Sequence, residues 1–163
     1  MAAVGSERAR ELAASIEAIN LELVQVVRGC SDEQWRTLCN DEGDDRTVAV
    51  VAHHVAHGHL YSLEWLETAL TGREVTVTLE NIDLENAEHA TTYHDVEREM
   101  TIALLEANAA RLAERIATLT DEQLAGTAHH RGAGRDLTVE AYARIGHRHV
   151  AGHLATIRKA LGL

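Results

Sequence analysis

Residues 138–161 read TVEAYARIGHRHVAGHLATIRKAL, a run that can be laid out on one helix without a gap. Successive residues of an α-helix turn by about 100°. That lines up Val139, Gly146, Val150 and Ile157 as one stripe, with Ala143, Ala160 and Leu161 beside it. Arg144, Arg148 and Lys159 point the other way, and Thr138 is an N-cap residue type. A helix with one apolar stripe and a cationic back must bury that stripe against neighbours. His149 and His153 lie on one flank of the stripe. Four residues apart, their Cβ atoms are neighbours about 6 Å apart, so both imidazoles can reach one metal ion. His147 falls on the other flank.

The same design occurs earlier in the chain. Thr47 caps a second helix over residues 47–70, which stops before Gly72. It carries His53, His54, His57 and His59, so two helices hold seven of the eleven histidines. Val48, Val51, Val55 and Leu66 form its core stripe. His53 and His57 share the outer face with Glu64 and are expected to be solvated. His59 lies nearest the centre of the stripe, as a hydrogen-bonded core histidine would. His54 sits on the flank, in line with Tyr61 and Trp65. Periodicity alone does not choose between His54 and His59 as a partner for His149 and His153.

Outward from these two helices the chain repeats itself. A first helix is expected over residues 7–28, with Leu12, Ile16, Ile19, Leu23 and Val26 at helical spacing and Gly29 as its stop. Ser31-Asp32-Glu33-Gln34-Trp35 follows as a capping-box turn, and then a solvated loop over residues 40–46. A third helix is expected over residues 94–119, with Val96, Met100, Ala103, Leu104, Ala107, Leu112 and Ile116 facing inward. Thr120-Asp121-Glu122-Gln123-Leu124 then restates the earlier turn, and a Gly-containing loop at 129–135 leads to Thr138. Each half is a long helix, an Asp-Glu-Gln turn, a polar loop and a His-bearing helix. The fold expected is all-α, a four-helix bundle with its site between facing helices. Residues 73–93 form a long crossover connection between helices two and three, which lets those two helices run parallel. Val75-Thr76-Val77-Thr78-Leu79 within it alternates like a strand, but one such stretch makes no sheet.

Composition agrees and narrows the function. A chain of 163 residues is one domain, and the absence of Pro and Phe with plentiful Ala, Leu, Glu and Arg favours helix. A formal net charge of -11 excludes nucleic acid as a general partner, because such a partner needs a cationic stripe to displace counterions. Anionic membranes are disfavoured for the same reason. No run is long and apolar enough to span a bilayer, and no basic-then-apolar leader opens the chain, so the cytoplasm is the expected location. Cys30 and Cys39, nine apart, do not have metal-ligand spacing, and in that compartment they are expected to be reduced.

Val51-Ala52-His53-His54-Val55-Ala56-His57-Gly58-His59 resembles the second helix of the DinB/YfiT-like metal-dependent hydrolases, which carry a His-His-Leu-Ala type motif there. His149-Val150-Ala151-Gly152-His153-Leu154 is similar to that family's His-x-x-x-His-Ile/Leu segment. The resemblance runs through all four helices, while the specific motifs occupy these two windows. It implies a four-helix bundle, a homodimer, and a divalent ion held by three histidines. Placed on this sequence, the ligands are His54, His149 and His153, His54 being the histidine directly before the aliphatic residue. His57-Gly58-His59 departs from the family pattern, and an additional imidazole from His57 or His59 is an alternative. His89, His129 and His130 lie in connections, where histidines are usually solvated.

Three neutral nitrogens suit Zn²⁺, Ni²⁺ or Fe²⁺, and three protein ligands leave the open position that catalysis needs. The reading is therefore a metal-dependent hydrolase, or, as the resemblance also implies, a transferase or isomerase using a low-molecular-weight thiol such as mycothiol or bacillithiol, acting on a small molecule. The Glu of a His-Glu-x-x-His metalloprotease is missing. No residue is assigned a catalytic role. Tyr61 and Tyr142 each lie seven residues from a ligand on its face, and amphipathic packing accounts for a tyrosine there equally well. Without an evident acid or base, a non-catalytic metal- or small-ligand-binding dimer of the stress-protein kind is the alternative. A helical interaction domain with no metal is a third reading.

Overall fold

Helix ends fall where side chains can satisfy the first unpaired backbone N–H groups. In the computed structural model, which describes residues 5–39 and 45–163, Ser6 caps α1 (Glu7–Gly29) and Thr47 caps α3 (Val48–Leu70). The capping boxes at Ser31 and Thr120 open the short turns α2 (Asp32–Trp35) and α6 (Asp121–Ala125), as their sequences anticipate. Thr138 caps α7 (Val139–Leu161), which closes on Gly162 in the left-handed conformation at φ 70°. Of the loop expected over residues 40–46, residues 40–44 lie outside the described residues.

Three elements differ from expectation. The crossover contains a helix, α4 (Leu79–Thr92), with a Thr78–Asn81 capping box. The third long helix, α5, begins only at Arg98 and ends at Ala117. Its buried face is Thr101, Ile102, Leu105, Asn108, Ala109, Leu112, Ala113 and Ile116, so Met100, Ala103 and Ala107 face solvent instead of the core. The phase slipped because Leu104 and Leu105 are adjacent and two polar residues occupy the true stripe. Finally, the Gly-containing loop at 129–135 is the tip of a hairpin, β1 (Thr127–His130) against antiparallel β2 (Arg135–Thr138), with Gly134 at φ 63° in the turn. Val75 of the extended stretch adds one parallel bridge to His130 of β1.

Cross-helix contacts fix the bundle's directions. Ser6 N–H donates to the Leu119 carbonyl at 2.8 Å and Asn20 Nδ2 to that of Leu105 at 3.1 Å, so α1 and α5 are antiparallel. Asn108 Nδ2 donates to the Ala56 carbonyl at 2.9 Å and Arg115 pairs with Glu67, so α3 and α5 run parallel, as the long crossover requires. Arg8 pairs with Glu140 and Arg158 with Glu22, making α1 and α7 parallel.

The core divides into two apolar clusters. One gathers Leu23, Val27, Trp35, Val55, Leu105, Val150 and Ile157; the other gathers Leu12, Ile16, Leu66, Leu112, Ile116 and Tyr142. Between them, at one level of the bundle, lie buried Asn20, His59, Ser62 and Asn108. Buried polar groups cost free energy unless hydrogen-bonded. Asn20 meets that condition in the centre, accepting from His59 Nε2 through Oδ1 at 3.0 Å while donating to Leu105. The polar belt continues toward the α3–α7 face, where the histidines gather.

Candidate metal centre

Antiparallel packing of α3 on α7 brings His54 opposite His149 and His153. The imidazole centroids lie 4.8 Å (His54–His149), 4.9 Å (His54–His153) and 4.6 Å (His149–His153) apart. One ligating nitrogen from each lies within 4.8 Å of the other two. His54 Nε2 and His149 Nε2 approach to 2.9 Å. Two imidazoles so placed either share one proton or aim two lone pairs at a common cation.

Burial decides the protonation state. It lowers His54 to about 2, reinforced by the neighbouring His149 and His153; it lowers His149 to about 3 and His153 to about 4. All three are neutral near pH 7, the form that binds a metal ion. His149 Nδ1, a separate atom from the Nε2 that faces His54, is buried against Gly58 with no hydrogen-bond partner among the described residues. Gly58 makes the approach possible, since a Cβ at that position would stand 2.6 Å from His149 Nδ1. The donor set is three nitrogens with no carboxylate, which suits Zn²⁺, Ni²⁺ or Fe²⁺ better than Mg²⁺ or Ca²⁺.

The triad opens into a cavity of about 260 Å³ between α3, α7 and α4. Tyr61 and Trp65 of α3, Ile145 of α7, and Ile82, Glu85 and Asn86 of α4 complete its wall. Glu85 is the carboxylate that inspection of the helices flanking the motifs could not supply, because it belongs to the crossover. Burial and the carboxylates of Glu85 and Glu64 push the Tyr61 phenol above its usual range, leaving it a hydrogen-bond donor. Tyr142 is not at the site. It is buried in the second core cluster, stacked on His130, with its hydroxyl donating to the Ala128 carbonyl at 3.3 Å.

The other histidines divide three ways. His59 is the core histidine, 1% exposed and bonded to Asn20, so it neither replaces nor joins His54 in the triad. His53 and His57 are not solvated: α4 covers their face, His53 is 5% exposed, and both lie against His89 and Tyr93. His89 is likewise no loop histidine but a residue of α4. His129 pairs with Asp136 on the exposed side of the hairpin, and His130 packs between Trp65 and Tyr142.

Residues 16–157 match the DinB superfamily. The chain belongs to that superfamily. A solved structure shares the fold of this DinB-superfamily chain at a TM-score of 0.72, with 24% identity over 98% of this chain and 90% of the other. It is YfiT from Bacillus subtilis, described as a probable metal-dependent hydrolase with an unusual four-helix bundle topology. No curated protein matches. Among the described residues, no helix is long and apolar enough to cross a membrane.

Proposed function

We propose that this DinB-superfamily protein is a metal-dependent hydrolase of small molecules, with a divalent ion on His54, His149 and His153. The observation that carries the reading is the convergence of three neutral imidazoles on the floor of a cavity that also has a carboxylate in its wall. An ion there supplies Lewis acidity and brings water or a thiol to reactivity near neutral pH. The chain's own residues do the rest. Trp65, Ile82 and Ile145 present apolar surface to the substrate, Tyr61 and Asn86 offer hydrogen bonds, and to Glu85, the exposed carboxylate in the same wall, we assign the role of taking a proton from the nucleophile and returning it to the leaving group. The description of YfiT supports hydrolysis. A thiol cosubstrate and a homodimer belong to the same proposal through the family resemblance.

The test is a panel of esters, amides and thiol conjugates assayed with metal-loaded protein. Turnover is expected to vanish on chelation and in His153→Ala. In Glu85→Gln it should fall by about 10²-fold with metal content unchanged. Activity that survives chelation removes the ion from the chemistry, and full metal occupancy with no turnover on any of the panel favours a binding module.

A further inference from the structure

A second group of three histidines lies on the next face of α3. His53 and His57, one helical turn apart, meet His89 of α4, with ring centroids 4.6 Å (His53–His57), 5.1 Å (His53–His89) and 5.3 Å (His57–His89) apart. One ligating nitrogen of each lies within 4.8 Å of the others. The Tyr93 ring packs on all three at 4.4–5.1 Å.

Hydrogen bonding accounts for only part of this group. His53 Nδ1 and His89 Nε2 pair at 2.9 Å. That pairing leaves the His57 imidazole with no hydrogen-bond partner among the described residues. Among the described residues no carboxylate is bonded to any of the three, and none explains why they gather. A cation does: an i, i+4 pair plus a third imidazole from a facing helix is a ligand set for a borderline first-row ion such as Zn²⁺.

The way α4 is held points in the same direction. A 14-residue helix is marginal by itself in water, and α4 buries none of its own residues. Its half-buried residues are Ile82, Asn86, His89 and Ala90, with Tyr93 as the C-cap, while Glu85 is exposed. Ile82, Glu85 and Asn86 line the cavity around His54, His149 and His153, and His89 and Tyr93 are the contact with α3. The two triads also touch, the His54 and His89 rings being 5.6 Å apart edge to face.

We propose that His53, His57 and His89 form a second divalent-cation site, whose ion fastens α4 over the cavity holding the first triad. The site stands on its own residues and does not depend on the function proposed above. Its effect is mechanical: cross-linking α3 to α4 positions Glu85, Asn86 and Ile82.

Tag-free, metal-stripped protein titrated with Zn²⁺, with the bound metal then counted by mass spectrometry, tests this directly. Wild type is expected to take two equivalents, and His89→Ala, His57→Gln and His153→Ala one each. His89 is half-buried and lies outside both apolar clusters, so His89→Ala removes a ligand without opening the core. Hydrogen exchange over residues 79–92 is expected to slow on zinc addition in wild type and in His153→Ala, but not in His89→Ala. One equivalent in wild type, lost in His153→Ala and kept in His89→Ala, overturns the second site and leaves the first. Loss in His89→Ala alone does the reverse. Two equivalents retained in both His89→Ala and His57→Gln overturn it as well.

Discussion

Gly58→Ala separates metal binding from folding. A Cβ at position 58 would lie 2.6 Å from His149 Nδ1 and closer still to Cε1. Carbon contacts settle near 3.5–4.0 Å, so the imidazole must retreat by about 1 Å, carrying its Nε2 away from His54 and His153. Two opposing terms act on stability. Crowding a packed position costs about 1–3 kcal/mol, while replacing Gly inside a helix returns about 1 kcal/mol. The net loss is about 0–2 kcal/mol, small enough to leave the protein folded. Metal binding has no such compensation. Disturbing the groups that orient a ligand typically costs 10–100-fold in affinity, and a 1 Å misplacement can cost about 10²-fold in rate. Gly152→Ala on α7 is the control, since nothing lies within 4 Å of a Cβ there and the position is exposed. It should gain about 1 kcal/mol from helix propensity without touching metal affinity. The assay is a zinc competition titration beside thermal unfolding of the stripped proteins. A Gly58→Ala variant that binds zinc within a factor of two of wild type refutes the packing account of His149.

Two further outcomes follow from burial. Burial places His54 at about 2, His149 at about 3, and His53, His59, His89 and His153 at about 4, all below the 6.5 of a free imidazole. Below 6.5 the unfolded chain binds more protons than the folded one, so stability is full above that pH and is lost as pH falls toward the folded values. The Tm of metal-stripped protein should be level from pH 8 to 7 and drop steeply between 6.5 and 4; a level Tm down to pH 5 contradicts this. Asn20→Ala strips His59 Nε2 and the Leu105 carbonyl of a partner. It should cost about 1–3 kcal/mol in denaturant unfolding with zinc affinity unchanged, and a loss of zinc binding in the folded variant counts against the separation of His59 from the site.

What could be read from the sequence followed from single-stripe periodicity and caps, and from the family resemblance, which alone chose His54 over His59. Thr47, Ser31, Thr120 and Thr138 each mark an observed helix start, and the flank positions of His54, His149 and His153 meet once α3 and α7 pack antiparallel. Periodicity failed where a helix has more than one buried side. In α3, residues 48 to 53 are all buried, so His53 and His57, placed on an outer face by one stripe, lie beneath α4. Helix α4 itself was hidden because its half-buried residues, Ile82, Asn86, His89 and Ala90, do not make an apolar stripe. The hairpin was hidden by its length, four residues a strand, with one His of β1 exposed and the other buried.

The central claim is that His54, His149 and His153 hold one divalent ion. Anomalous diffraction at the zinc edge, from crystals of tag-free protein grown with zinc, tests it without any assumption about substrate. The account predicts a peak within about 2.0–2.1 Å of one nitrogen from each of the three imidazoles. Zinc-loaded crystals with no peak between α3 and α7 at that level of the bundle would contradict it.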